Sequence, residues 1–534
     1  MGHLFIVHGD LRKLCCDAWL LPCGEDGWPH AQWLEWPLGA AARVQRPELP
    51  TDWHPEVLRV CKLAGWPADF PQPWLTNVGL DTLRPLSWFV QGAVQFVEKA
   101  AAALTPRSAR PGQRARPLLA VPVVGTGYGG AGGMAGDVVR MLIPALQEAA
   151  QRHHADVVLV TYDESSFTAA QAHRRAAADA WPELPPPLRR RADRLAALAA
   201  RGELVLFLGA GVSTGAGLPM WGELIEKIAT SLSITGEELQ ALRRLDYMDQ
   251  AHILEQRGGD EERLRQLIAT ALQRHHHALG HALLGSLPVR EIVTTNYDDL
   301  FELAYTSAGG KTLAVLPHAP QLGATGWLLK MHGSVDRPRD IVLTRRDYMR
   351  YDEQRAALAG IVQAQLITKQ MLFVGFSMND ANFLRIADAV RRALRTATPT
   401  VAATGAEARP RTFGVALSLS RNPLLEELWR NDLDWVAMED APEGQTGAPL
   451  ESARRLDIFL DYLLAQASST SAHLLDHRFD GVLSPAERAL RVALESFLAA
   501  VPPAAHKAPA WAEVEALVRR LGGLPLGARR QLSR

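Results

Sequence analysis

The sequence predicts an α/β protein: a first α/β domain, a second domain with a parallel sheet, and a helical C-terminal region. Two stretches carry this prediction. Glycine-rich segments at 125–133 and 209–217 each follow a short, continuously apolar run and precede a helical pattern. Such runs are typical of strands buried on both faces of a parallel sheet. The length of 534 residues suits two to four domains.

Composition argues against several classes of partner. The 57 basic residues nearly cancel the 58 acidic ones, so no overall field recruits nucleic acid or an anionic membrane. We find neither an apolar run long enough to span a bilayer nor a secretory signal, so a cytoplasmic location is expected. All four cysteines lie within the first 61 residues, where reduced thiols are expected.

Residues 1–165 form the first predicted domain. A helical pattern over 136–150 contains Pro144, which should kink that helix. The glycine-rich stretch before it lies between a strand and a helix, a position that suits a phosphate group. Strands are predicted at 4–7, 18–21, 118–124 and 157–161.

Two segments of this domain, 7–11 (VHGDL) and 121–136, resemble the opening and the phosphate-binding loop of macro domains, which bind ADP-ribose. The resemblance implies that Asp10 contacts adenine. It also implies a diphosphate site at Gly125, Thr126, Gly127, Tyr128 and Gly129. Macro domains usually carry Asn-Ala-Ala-Asn where this chain has 21–24 (LPCG), so binding is expected rather than de-ADP-ribosylation. The alternative is a scaffold without a ligand.

Residues 166–200 are predicted to be a helical linker, and 201–465 the second domain. Within it, 239–272 reads as mostly helical. Four histidines follow closely, at 275–277 and 281. No carboxylate or thiolate lies at ligand spacing, so a helix surface is favoured and no metal is expected.

The second glycine-rich segment, 209–217, follows the apolar run 204–208. Bare amides at the end of a parallel strand would make a phosphate site. A dinucleotide fingerprint fails because Thr214 replaces its third glycine. A nucleophile elbow fits by letter, with Ser213 as the nucleophile.

Three later strands are predicted to end in polar side chains: Asn296, His332 and Ser377 each follow an apolar run. The carboxyl ends of parallel strands meet at one edge of the sheet, which is where such sheets place ligand groups. These side chains are therefore expected to converge near segment 209–217, which we call the glycine loop.

The same strings resemble the sirtuin family. Segment 209–219 (GAGVSTGAGLP) is similar to its first NAD-binding motif, 295–298 (TNYD) to Gln-Asn-x-Asp, 332–333 to His-Gly, and 375–377 (GFS) to Gly-Thr-Ser. The resemblance implies Asn296 and His332 as catalytic residues. It implies NAD contacts from Gly209, Ala210, Gly211, Ser213, Asp298, Gly375 and Ser377, with Asp298 on the carboxamide.

Two departures from deacetylating sirtuins change the expected activity. The second domain has no cysteine for their structural zinc module, and 220–222 (MWG) replaces their Asp-Phe-Arg. The chain instead resembles the sirtuin-like NADases of bacterial anti-phage systems such as Thoeris. That resemblance implies NAD as the substrate and a homo-oligomer. Combined with the macro resemblance, it suggests an activating ADP-ribose derivative bound by residues 1–165.

Three alternatives remain open: a non-catalytic ADP-ribose or NAD sensor, a hydrolase that uses Ser213, and a deacetylase. Helices beginning at Pro485 and Trp511 are predicted in 466–534, where docking or oligomerisation is the expected role.

Overall fold

The computed structural model describes residues 1–29, 33, 49, 53, 59–79, 84–104, 114–127, 129–177, 180–396, 412–442, 449–468 and 470–523. It confirms the α/β class, with two largely parallel sheets surrounded by helices. In these ranges, no helix is both long enough and apolar enough to cross a membrane.

The first sheet contains β1 (Leu4–His8), β2 (Ala18–Cys23), β3 (Val60–Lys62), β4 (Gln72–Asn77), β5 (Leu118–Pro122) and β6 (Asp156–Thr161). The order across it is β1-β6-β5-β2-β4-β3, and the edge strand β3 runs antiparallel to β4. Its helices are α1 (Leu86–Ala103), α2 (Ala135–His153) and α3 (Glu164–Ala176). The helix α2 continues through Pro144.

A linking helix, α4 (Pro186–Ala200), leads into the second sheet. This sheet contains β7 (Leu204–Leu208), β8 (Glu291–Thr294), β9 (Leu313–Leu316), β10 (Gly326–Lys330), β11 (Gln370–Val374), β12 (Gly414–Arg421) and β13 (Leu433–Pro442). All its pairings are parallel, in the order β13-β12-β11-β7-β8-β10-β9. In the sheet, β8 lies beside β7 on one side, and β11, which comes later in the chain, lies beside β7 on the other side. The switch point, where such sheets bind ligands, therefore lies between β7 and β11.

Helices cover both faces of the second sheet. Those between β7 and β9 are α5 (Trp221–Ser231), α6 (Gly236–Arg243), α7 (Tyr247–Gly258), α8 (Glu261–Leu272), α9 (Leu279–Ser286) and α10 (Leu300–Ser307). Those that follow are α11 (Arg345–Thr368), α12 (Ala381–Thr396), α13 (Pro423–Leu428), α14 (Pro449–Ala467), α15 (Pro485–Ala500) and α16 (Trp511–Arg520).

Alternate residues of β7 enter two different cores. Leu206 and Leu208 belong to a core that continues into the first sheet, whereas Val205 and Phe207 belong to a core under α11 and α12. One face of the second sheet thus shares its apolar interior with the first sheet.

A buried ion pair reinforces this junction. Asp461 of α14 accepts from Arg174 of α3 at 2.9 and 2.5 Å and lies 2.9 Å from His3 Nε2. Asp461 and Arg174 are at most 1% exposed. The C-terminal region also docks on the first sheet's helices, because the fully buried Phe479 packs against Ala135 at the start of α2.

Candidate active site

Glycines hold the carboxyl ends of β7 and β11 together. The N–H groups of Gly209 and Gly211 donate to the carbonyls of Val374 and Gly375, each at 3.0 Å. A Cβ on Gly211 would lie 2.9 Å from Gly375 Cα, and one on Gly375 would lie 2.5 Å from Val212 N. Gly375 also has a φ of +65°, which favours glycine. Side chains here would push the two strand ends apart.

These bonds correct the expectation of bare amides in the glycine loop. The amides of Gly209 and Gly211 are both bonded, to the last residue of β11 and to Gly375 just after it, because the switch point brings these carbonyls directly beside the loop. Ala210, between them, is exposed. The glycines thus serve the close approach of two strands, and their contact with a diphosphate stays a prediction.

A cavity of about 660 Å³ lies over the glycine loop. Gly211, Thr214 and Gly375 form part of its wall, α5 contributes Lys227, and α14 contributes Asp457. Its volume falls within the range of small-ligand pockets, about 300–1,000 Å³. Its position at the switch point is one where open parallel sheets bind nucleotides.

Beneath the loop lies a buried hydrogen-bond network, the Ser213 cluster, formed by Ser213, His281, Asn296 and Asp298. The Ser213 hydroxyl donates to Asp298 Oδ2 at 3.0 Å. Its oxygen also lies 3.3 Å from His281 Nε2 and 3.3 Å from Asn296 Nδ2. A hydroxyl has one donor and two acceptor positions, so these contacts saturate it. The hydroxyl proton goes to the Asp298 carboxylate rather than to a histidine, so Ser213 lacks the Ser–His arrangement of a nucleophilic serine.

Asn296 follows β8 and keeps one polar atom unpaired. Its Nδ2 donates to Gly209 O at 3.2 Å and to Ser213 Oγ at 3.3 Å, which uses both amide hydrogens. Its Oδ1 is buried and has no hydrogen-bond partner among the described residues. An unpaired buried acceptor costs about 1–3 kcal/mol. This oxygen is therefore suited to receive a hydroxyl or water proton.

The Asp298 carboxyl group is occupied within the protein. Its Oδ1 accepts from Leu300 N at 3.2 Å, at the start of α10, while Oδ2 accepts from Ser213. Burial raises its pKa, and the Lys330 ammonium, which donates to Asp298 O at 2.6 Å, opposes that rise. A nicotinamide carboxamide would have to compete with these partners.

A second buried network, the His332 cluster, comprises His332, Tyr348, Asp380 and Asn382. His332 Nε2 lies 3.3 Å from Asn382 Nδ2 and 3.5 Å from Asp380 Oδ2. Tyr348 donates to the same Asp380 oxygen at 3.0 Å. Burial lowers the pKa of His332, and Asp380 partly opposes this. The imidazole is therefore neutral at neutral pH and can accept a proton.

The structure brings Gly209, Ser213, Asn296 and Asp298 together and places His332 in the adjacent cluster. Tyr297 links the two, since its hydroxyl donates to Val342 O at 2.7 Å and Val342 N donates to His332 O at 2.9 Å. Neither Asn296 nor His332 is among the residues lining the 660 Å³ cavity. Ser377, past β11, is exposed. Part of the glycine loop thus borders the cavity, whereas His332 is buried and Asn296 is half-buried with its Oδ1 shielded from solvent.

The assignment of the four histidines to a helix surface is wrong, because residues 275–277 lie between α8 and α9 and His281 is on α9 but buried. His277 is 2% exposed and His281 is 1% exposed. The apolar run 282–284 that follows could have indicated a buried helix. The partners of His332, namely Tyr348, Asp380 and Asn382, were also missed, because no motif marks them. No cluster of three or more histidine, cysteine or acidic side chains suited to a metal occurs in the part of the chain that is described.

A second cavity, of about 600 Å³, lies at the carboxyl edge of the first sheet. Asp10 at its wall is paired with Arg12, which donates to it at 3.0 and 2.7 Å. Gly125 has a φ of +85°, and its Cβ would lie 2.6 Å from Phe89. The predicted ligand residues that line this cavity are Asp10, Gly125, Thr126, Gly127 and Gly129. Tyr128 lies outside the described residues.

Comparison with known proteins adds a family match. A family model described as a SIR2-like domain matches residues 290–422, which include Asn296, His332 and Gly375. "NAD(+) hydrolase ThsA" of Enterococcus faecium is 32% identical over 202 residues, 36% of this chain and 41% of that protein. The protein of the same name from Bacillus cereus is 31% identical over 194 residues, 35% of this chain and 40% of that protein.

A third relative, "Defense-associated sirtuin 2" of Bacillus subtilis, is 24% identical over 203 residues, 36% of this chain and 19% of that protein. The matches thus span about two fifths of the length of the two hydrolases and less of the third protein. They confirm the resemblance to sirtuin-like NADases. The macro-like character of residues 1–165 stays a prediction.

Proposed function

We propose that this chain is an NAD⁺ hydrolase that breaks the bond between nicotinamide and ribose. Water adds to C1′ of the ribose, and nicotinamide leaves as a neutral molecule with the bonding electron pair. The products are nicotinamide, ADP-ribose and a proton. The observation that carries the proposal is the buried, unpaired Asn296 Oδ1 inside a SIR2-like match. The relatives named NAD(+) hydrolase support it.

The 660 Å³ cavity is the proposed site for the ADP part of NAD. The diphosphate would lie over Gly209, Ala210 and Gly211, because Gly211 lines the cavity and Ala210 is exposed beside it. Gly375 extends this surface, and Ser377 is exposed beyond it, toward the proposed adenosine ribose. Because the carboxyl group of Asp298 and the hydroxyl of Ser213 are already paired, we assign them to holding Asn296 in place.

The reaction needs an oriented nucleophile and a proton acceptor. Loss of nicotinamide leaves an oxocarbenium-like ribose, so positioning of water and ribose supplies much of the rate. Asn296 Oδ1 would accept a hydrogen bond from the attacking water or from a ribose hydroxyl. The neutral His332 imidazole would take the proton, a role for which its lowered pKa keeps it in the base form.

His332 is buried and neither His332 nor Asn296 lines the 660 Å³ cavity, an arrangement that fits an enzyme that is inactive until a signal arrives. We propose that the 600 Å³ cavity binds this signal, a small ADP-ribose-type molecule, through Asp10 and the 125–129 loop. An unregulated NADase would exhaust the NAD of its host, so a gate is expected. A ligand can operate a gate only if it prefers the active arrangement.

Two helices connect the 600 Å³ cavity, which we call the signal cavity, to the Ser213 cluster. The helix α9 carries His281 in its first turn, and Ser286 at its end accepts from His8 N at 3.0 Å. Asp298 lies at the start of α10, and Ser307 at its end accepts from Asp10 N at 3.2 Å. Each helix therefore contacts the Ser213 cluster at one end and the β1 edge of the signal cavity at the other.

The catalytic proposal is tested by incubating purified protein with NAD⁺, with and without ADP-ribose derivatives, and separating the products by chromatography. Asn296→Ala and His332→Ala should each abolish nicotinamide release while the circular dichroism spectrum and melting temperature stay near wild type. Full turnover by both variants would refute the assignment. Wild type that binds NAD⁺ without cleaving it would instead indicate the alternative, a non-catalytic sensor of ADP-ribose or NAD.

The gate is tested at Gly127, which lines the signal cavity and has open space around its missing Cβ. Gly127→Glu should fold and should repel an anionic ligand, so activation should require more ligand. Gly133→Glu is the matched control, since Gly133 is exposed, has similar space and does not line the cavity. Equal activation of both variants would argue against the signal site.

We further propose that the enzyme depletes NAD during phage infection as a cytoplasmic homo-oligomer, by analogy with a relative named for defence. We also propose the division into 1–165, 166–200, 201–465 and 466–534. Phage challenge of cells that carry wild type or Asn296→Ala, with NAD measured over time, tests the biological role.

A further inference from the structure

His281 contacts the Ser213 cluster but has no part in the chemistry proposed above. Its Nδ1 accepts from Ala278 N at 3.2 Å. In a neutral imidazole one ring nitrogen accepts and the other carries the hydrogen. Nε2 therefore carries the hydrogen and donates it to Ser213 Oγ at 3.3 Å.

The charge state of this ring is fixed by its surroundings. His281 is 1% exposed, and burial lowers its pKa to about 3. The ionisable groups near it are Asp298, across Ser213, and His277, one turn earlier. His281 is therefore a constant donor at any working pH rather than a group that exchanges protons.

The donor from His281 completes the set of contacts that orients Asn296. The two acceptor positions of Ser213 Oγ take hydrogens from His281 and Asn296, so its own hydrogen goes to Asp298. Without His281, one acceptor position of Ser213 would be unfilled. The hydroxyl could then rotate away from Asn296, whose Nδ2 would keep only its bond to Gly209 O.

We infer that His281 is a positioning residue that acts through Ser213 to aim the free Oδ1 of Asn296 at the reacting ribose or water. The inference rests on the proposed function. It assigns a role to a histidine outside the sirtuin-like motifs, on the helix that reaches the β1 edge of the signal cavity.

Two substitutions separate this role from a packing role. His281→Asn keeps an acceptor for Ala278 N but is too short to reach Ser213, whereas His281→Gln can present an N–H to Ser213. We expect His281→Asn to lower kcat for nicotinamide release about tenfold, the worth of one hydrogen bond, with KM for NAD⁺ unchanged. His281→Gln should restore most of the loss. His277→Gln, at a buried neighbour that does not touch Ser213, is the control and should keep the wild-type kcat.

The outcomes are distinct. Wild-type kcat in His281→Asn, or a His281→Gln protein no faster than His281→Asn at equal melting temperature, would overturn the inference. A ratio of wild-type to His281→Gln kcat that changes with pH would make His281 an acid–base group and would also overturn it. A constant ratio supports positioning. Wild type runs in every series, with and without ADP-ribose derivatives, so absence of nicotinamide release there under every condition would overturn the proposed function itself.

Discussion

Acid should destabilise this protein through two buried histidines, His277 and His281. Burial lowers the pKa of each to about 3, against an ordinary value of 6.5. The unfolded chain therefore binds a proton near pH 6.5 that the folded chain refuses until about pH 3. The stabilisation is complete above about pH 6.5 and is lost as pH falls through that window.

The magnitude follows from linkage. Between about pH 7 and about pH 5, each histidine should lower the free energy of unfolding by about 2 kcal/mol, and the pair by about 4 kcal/mol. Because this range lies above both folded pKa values, the result depends little on their exact size. Urea unfolding followed by circular dichroism measures it in wild type and in a variant with His277→Gln and His281→Gln. The double variant should lose about 4 kcal/mol less over the range. An unchanged pH dependence would refute the reasoning.

Three further outcomes are expected. The acid limb of kcat/KM should have its midpoint below pH 6.5, because the pKa of His332 is lowered. Asp380→Asn should move this midpoint to still lower pH, because Asp380 raises the pKa of His332. A pH–rate series measures both, and a midpoint above pH 6.5 would contradict the role of His332. Gly375→Ala should lower the free energy of unfolding by at least about 1–2 kcal/mol, because Gly375 has a left-handed backbone and an added Cβ would collide with Val212 N. The variant should also bind NAD⁺ more weakly. Thermal melting and isothermal titration test this, and NAD⁺ binding equal to wild type would contradict it. Asp461→Asn should lower the free energy of unfolding by about 3–5 kcal/mol, because it leaves the buried Arg174 guanidinium without its charge partner. A melting temperature near that of wild type would contradict this.

Much of the second sheet was predictable, because β7 and residues 371–374 of β11 are continuously apolar and each strand is followed by glycine. The placement of Asn296 and His332 just past strand ends follows from the same pattern and is confirmed. The edge strand β9 was not predicted, since it has four residues, of which only Ala314 is buried, and so short a run gives a weak signal.

The internal bonding of the site could not be read from the sequence. The amides of Gly209 and Gly211 are used by β11 only because of the order of strands, which motif letters do not specify. Asp380 and His281 approach His332 and Ser213 through tertiary folding, with no fixed spacing along the chain. Sequence reasoning therefore identified the candidate residues but missed His281 and Asp380. It assigned Ser213 and Asp298 to NAD and did not predict the hydrogen bond between them.

Both α9 and α10 contact the Ser213 cluster at one end and the first α/β unit at the other, at His8 and Asp10, and this has a consequence for protein engineering. A chimera that replaces the first sheet with another ligand-binding module would leave Ser286 and Ser307 facing a foreign backbone. Such a hybrid would need backbone N–H donors in place of those of His8 and Asp10, so that Ser286 and Ser307 are bonded again, before it could respond to its new ligand. Swapping the two helices as well would remove His281 and disturb Asp298, so a new module has to be fitted to α9 and α10 as they stand.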